Sequence, residues 1–302
     1  MRASKLSDEQ LTISVDGKEI VETSSEKLLG LVINNTLTWK NHMYGDKDNI
    51  GLVPQLGKRL GMLSKLSRYM SKEKLGYFSS GIFYSKLSYC LPVFGNIFGL
   101  DTYKEENRRY FSFTVKDNNN LQVLQNKLNR MLLSADYNTP TVDLLEQTGS
   151  LSIHQMVAYQ TAVATHKIVQ SGKSSYIARK MKVRQMNSNT RHGDYSVVIP
   201  KYKYNIGREG FIYRGAAIYN KLSNTLRKET KIEKFKSGVR GWVKSNISIK
   251  PKQLFQSISG GNQTNHPPPP PPPPEPPPPQ QATTRQLPIT NFFTPINNIR
   301  RN

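Results

Sequence analysis

An α+β fold, mostly α, is predicted: an N-terminal β-hairpin plus a third strand, then a helical bundle, then a disordered proline-rich tail. Three observations predict it. Apolar and polar residues alternate on either side of Asp16-Gly17; downstream, apolar residues recur at helical spacing in one segment after another; and from residue 251 both patterns give way around a run of prolines. The chain divides accordingly into a β segment over 1–48, a helical region over 49–250 and a tail over 251–302.

Residues 11–15 and 18–21 alternate about Asp16-Gly17, a dipeptide that accepts positive φ in a two-residue hairpin turn. Residues 28–33, Leu28-Leu29-Gly30-Leu31-Val32-Ile33, read as a buried third strand that ends at the turn-prone Asn34-Asn35. Over 54–70, Leu56, Leu60, Leu63 and Met70 share one helical face, and Lys58, Arg59, Lys65 and Arg68 occupy the other. Ser71 can cap a following helix that buries Leu75, Phe78 and Ile82. Helical spacing returns at Leu121, Leu124, Leu128, Met131 and Leu132. It recurs from Ser152 through Ile153, Met156, Val157, Val163 and Ile168, and again at Ile232, Phe235, Val239, Trp242 and Val243. Pro140 marks a short helix start, and residues 117–120 and 172–175 read as connecting loops. Phe211, Tyr219 and Trp242 are assigned to the core.

The chain carries 43 Lys and Arg against 21 Asp and Glu, a formal net charge of +22, which points to a polyanionic partner, nucleic acid first. No run of apolar residues long enough to span a bilayer is present, and no signal-peptide start, so no membrane partner is expected. A single cysteine, Cys90, excludes a disulfide framework and fits a reducing compartment, nuclear or cytoplasmic. His42, His154, His166, His192 and His266 lack ligand spacing, so neither a metal nor another cofactor is expected.

Basic residues crowd between 201 and 252. Together with the α-helical set at Lys58, Arg59, Lys65 and Arg68, the candidates for nucleic-acid contact are Lys201, Lys203, Arg208, Arg214, Arg227, Lys228, Lys236 and Arg240. On one helix a basic outer face is an ordinary solvated surface. Spread with one sign over several helices it costs self-repulsion, which phosphates would offset. Tyr202, Tyr204, Phe211 and Tyr213 interleave with these cations as stacking platforms do in single-strand grooves, and core packing explains them equally well.

In the tail, Pro267 to Pro274, Glu275 and Pro276 to Pro279 form a polyproline rod. At about 3.1 Å per residue, it spans roughly 40 Å. Beyond it lies Gln286-x-x-Ile289-x-x-Phe292-Phe293, whose last three fixed residues share one face of a single 3₁₀ or α turn. Pro288 is tolerated in a first helical turn. Adjacent rings on a segment too polar to fold alone are anchors for a partner's groove, or else cover a groove on the protein's own body. The segment resembles the PIP box, by which replication and repair proteins dock on the sliding clamp PCNA, and matches it at Gln286, Ile289, Phe292 and Phe293.

Glu26-Lys27-Leu28-Leu29-Gly30-Leu31-Val32-Ile33, then Leu37-Thr38-Trp39 and His42-Met43, resembles the stretch just after the catalytic palm in non-LTR (LINE-type, Jockey-like) retrotransposon reverse transcriptases. Leu63-Ser64-Lys65-Leu66, Ser88-Tyr89-Cys90-Leu91-Pro92-Val93-Phe94-Gly95, Leu124-Gln125-Asn126-Lys127-Leu128-Asn129-Arg130, Tyr219-Asn220-Lys221-Leu222, Phe235-Lys236 and Trp242 follow in the order of those enzymes. The resemblance covers roughly residues 10–245 and implies the edge of the palm followed by a thumb-like helical bundle that holds template–primer by its backbone. Those polymerases need paired palm aspartates for two metal ions. No Asp-Asp pair exists here, Asp46 and Asp48 read as a solvated loop, and Leu222-Ser223 stands where family members often have Leu-Pro. By the resemblance, fingers and most of the palm would lie upstream of Met1, and the chain is expected to be no enzyme by itself. The competing reading is an interaction adaptor whose rod binds profilin, WW or Src-homology domains.

Overall fold

The computed structural model describes residues 12–99, 112–171, 176–183 and 195–251. The chain divides into two units, Met1–Ser257 and Ile258–Asn302, and every described residue lies in the first.

The α+β, mostly helical class holds. Strands β1 (Thr12–Val15) and β2 (Lys18–Val21) pair antiparallel with Ile13 opposite Ile20. Asp16 and Gly17 both take positive φ, 49° and 74°, the requirement of a turn that matches strand twist. The predicted third strand is instead a second hairpin. β3 (Ser25–Leu28) turns at Leu29-Gly30 into β4 (Leu31–Asn34), with Leu28 opposite Leu31. The glycine decides this: Leu29 and Gly30 adopt φ of 48° and 81°, and Tyr89 Oη donates to Leu29 O at 2.7 Å, holding the turn from outside the hairpin. The two hairpins form separate two-stranded sheets. Only β4 is buried along most of its length.

Helix α1 (Lys40–Tyr44) buries His42 and Met43, and α2 (Leu52–Leu66) buries Leu52, Leu56 and Leu63. The predicted helix over 54–70 therefore starts and stops earlier. Asp46 organises the loop between them, its carboxylate accepting from Ser25 Oγ at 2.9 Å and from the Asn49 backbone N–H at 2.8 Å. Ser71 caps α3 (Lys72–Ser79) as expected, accepting from the Lys74 N–H. A π turn (Ser80–Tyr84) then leads into α4 (Ser85–Ser88). The wider turn moves the apolar face: Leu75, Ser79, Phe83 and Leu87 are buried, every fourth residue, while Phe78 is 45% exposed and Ile82 half-buried. Helix α5 (Leu91–Phe94) follows a left-handed Cys90.

Residues 117–120, expected as a loop, lie inside α6 (Val115–Leu133). Thr114 and Asp117 form a capping box that satisfies the first N–H groups, so three successive asparagines continue the helix. Helix α7 (Thr141–Thr148) follows Pro140, and α8 (Ile153–Gln170) opens with a second capping box from Ser152 and Gln155. Buried amides on α6 hold both helix starts. Gln122 Oε1 accepts from Ile153 N at 2.9 Å, Gln125 donates to Leu151 O at 2.8 Å, and Asn126 donates to Thr141 Oγ1 at 2.9 Å. Such pairing is what makes their burial tolerable.

Beyond lie α9 (Tyr176–Lys180), α10 (Asn205–Arg208), α11 (Phe211–Lys221), α12 (Asn224–Lys228) and α13 (Ile232–Asn246). Helix α8 is central, packed against α5, α6, α11 and α13. One hydrophobic core runs from Leu31 of β4 through Leu56, Leu128 and Val157 to Tyr219 and Val243, with Phe211 and Trp242 packed on its margin.

Candidate nucleic-acid interface

The predicted cations divide by environment. On α2, Lys58 and Lys65 are exposed, because Leu52, Leu56 and Leu63 take the opposite face inward, and Arg68, just past the helix end, is exposed too. Arg59, at the boundary, is half-buried, and its Nη1 donates to the Ile82 carbonyl of the π turn. Ahead of α10, Lys201 and Lys203 are exposed, and at the helix's last position Arg208 is half-buried. Toward the C-terminal end, Lys228 and Arg240 are exposed, with Arg240 Nη2 donating to Gly149 O at 2.6 Å, and Lys236 pairs with Glu233 one turn away at 2.7 Å.

Two expected contacts are corrected. Arg214, on α11, is 1% exposed and serves the interior. Its Nε donates to Glu209 O at 2.7 Å, Nη2 to Pro92 O and Val93 O at 3.0 and 3.1 Å, and Nη1 to Gly95 O. The carbonyls of Pro92, Val93 and Gly95 stand at the C-terminal end of α5, where a helix presents acceptors without intrahelical donors and partial negative charge. Arg227, on α12, is 5% exposed, and its carbonyl accepts from Tyr219 Oη at 3.3 Å. Neither guanidinium is presented to a phosphate.

The aromatic candidates also divide. Tyr204 is 67% exposed with Lys203 Nζ 5.5 Å from its ring centroid, and Tyr202 is 36% exposed with its ring 6.3 Å from that of Tyr213. Phe211 is half-buried against the core, and Tyr219 is fully buried, as assigned from sequence. Lys201, Tyr202, Lys203 and Tyr204 thus form an exposed run of alternating charge and ring, suited to phosphate contact and base stacking.

The titratable interior is structural. His42 Nδ1 accepts from Val32 N at 3.5 Å, and burial, then the Lys86 charge, push its pKa down to about 4. His154 Nε2 accepts from Phe98 N at 3.0 Å, His166 stacks on Phe235 with ring centroids 3.6 Å apart, and burial lowers both. Burial, with the hydrogen bond to Asp117, pushes Tyr44 up to about 12. Among the described residues no group of three His, Cys, Asp or Glu side chains could hold a metal ion, and no helix is long and apolar enough to cross a membrane. An open groove between Ile33, Leu37, Trp39, Val93 and Ile206 is chiefly apolar, with Glu209 at its wall.

The polyproline rod and the clamp-like residues Gln286, Ile289, Phe292 and Phe293 lie outside the described residues. Comparison of the chain with family models, with curated proteins and with solved structures gave no match.

Proposed function

We propose that the chain is a non-catalytic nucleic-acid-binding protein related to the palm-edge and thumb region of LINE-type reverse transcriptases, tethered to the sliding clamp by its tail. The observation that carries the nucleic-acid part is the surplus of positive charge, +22 in total, displayed through exposed cations on α2, on the run ahead of α10 and on α12 and α13. Such a surface contacts phosphates without reading bases, so affinity follows counterion release. The family part is supported by the order of sequence words between residues 26 and 242 and by a strand-then-helix body of the expected class. The clamp part is supported by residues 286–293 alone, and a nuclear location follows from such a partner.

Fluorescence anisotropy of the full chain on a primed duplex tests the first part. Affinity is expected to fall by more than tenfold between 50 and 200 mM salt, given about 0.9 of logarithmic slope for each phosphate neutralised. Binding indifferent to ionic strength would sink it. Clamp docking is tested separately by calorimetry with purified PCNA: Phe292→Ala with Phe293→Ala is expected to abolish binding, since two buried aromatic anchors carry most of such an interface. An unchanged affinity removes the clamp from the reading. Retention of profilin by the isolated rod, with no clamp binding by the full chain, would favour the adaptor instead.

A further inference from the structure

Three cations lie on segments from distant parts of the chain that come together where the β3–β4 turn docks on the end of α4. Tyr89, just past α4, ties down the turn by donating to Leu29 O at 2.7 Å, and its ring comes within 3.3 Å of where a Cβ on Gly30 would stand. Lys27 lies just ahead of that turn, the cross-strand partner of the buried Val32, and the two therefore share a face of the hairpin. Lys86 lies one helical turn before Tyr89. Arg59 reaches the same helix from α2, its Nη1 held on the carbonyl of Ile82, which stands one turn ahead of Lys86. None of the three forms an ion pair with a described carboxylate.

The geometry points to Lys27, Arg59 and Lys86 as a binding site for one backbone phosphate of a nucleic-acid strand. This deepens the nucleic-acid reading above and rests on it for the source of the phosphate. Arg59 supplies a planar fork already oriented by its anchor on Ile82, and the two lysines supply point charges. Convergence of like charges without a neutralising acid raises the free energy of the unliganded protein, and an anion reverses the sign of that term. The mutual field is felt at Lys86, whose ammonium loses basicity to burial first and then to Arg59 and Lys27.

The test is a salt series of anisotropy titrations on primed duplex, comparing the native full chain with Lys27→Ala/Lys86→Ala and with Lys116→Ala/Lys127→Ala, which removes the same charge from exposed positions on α6. The first double variant is expected to lower the logarithmic salt slope by about 1 and to weaken binding about tenfold at 100 mM salt, well beyond the control. Equal losses in the two variants, or none in the first, overturn the site while leaving the nucleic-acid reading in place. Independently, NMR of the lysine ammonium groups in the native chain is expected to show the Lys86 pKa rising when inorganic phosphate is added. If the chain binds no duplex yet Lys86 responds to phosphate, the anion site stands and the nucleic-acid reading falls. No response in either measurement overturns both.

Discussion

Arg214 is 1% exposed and holds several backbone carbonyls, so its loss is felt as stability rather than as binding. Truncation to Ala would strand carbonyls of Pro92, Val93 and Gly95 in the interior, each unsatisfied acceptor costing about 1–3 kcal/mol. Arg214→Ala is expected to destabilise by at least about 3 kcal/mol in urea denaturation, and Arg214→Lys by most of that, because an ammonium cannot span the same acceptors. A change below 1 kcal/mol would remove the α5–α11 latch. The buried histidines make a second residue-scale prediction. His42, His154 and His166 all have folded-state pKa values below that of the unfolded chain. The unfolded state therefore binds more protons as pH drops below about 6.5, and stability falls with it, down to about 4 for His42. Asp46, whose carboxylate is held below its usual range by its hydrogen bonds with Ser25 and the Asn49 loop, adds a loss in the same direction at still lower pH. Urea midpoints at pH 7, 6 and 5 should decline in that order, and a flat profile would exclude the neutral, buried state of these rings.

Among elements, the α3–π–α4 segment is the most sensitive to register. A π turn lets Leu75, Ser79, Phe83 and Leu87 all face inward, and removing one residue from it would rotate the two halves by about 100° relative to each other. Deletion of Gly81 is expected to cost several kcal/mol, since Phe83 and Leu87 would leave the core. Gly81→Ala is the contrasting variant. A Cβ there meets nothing within 4 Å, and the change is expected to be neutral or to stabilise by up to about 1 kcal/mol. Thermal melting of the two proteins separates phase from composition. Similarly, the start of α6 depends on Asp117, which accepts from Thr114 and, at 2.6 Å, from Tyr44 Oη. Asp117→Ala is expected to lose about 2 kcal/mol through the cap and the tertiary bond together. A loss no larger than for an exposed residue such as Lys116 would mean that the helix starts without it.

Across the whole molecule, charge and core were both written in composition and period. The helices around Leu56, Leu128, Val157 and Val239 were legible because each presents an apolar face at helical spacing. The class of fold followed, and with it a basic exterior on α2. Element boundaries were less legible where backbone conformation outweighed pattern: Leu29-Gly30 folds an apolar run back on itself, and the Thr114-x-x-Asp117 box converts an asparagine run into helix. That box was readable as a start signal, whereas the π turn left no mark in the spacing that distinguishes Phe78 from Phe83.

What the sequence by itself determined is local: turn chemistry at Asp16-Gly17, helical faces, the surplus of positive charge and the spacing of Gln286, Ile289, Phe292 and Phe293. Only the tertiary structure decided which cations reach solvent. It turned Arg214 and Arg227 inward while bringing together the segments that carry Lys27, Arg59 and Lys86. The physical reason is that a long basic side chain carries no mark of its partner. Whether it caps carbonyls in the interior or faces an anion in water depends on the acceptors that distant segments bring within reach, and periodicity along a single element cannot encode that.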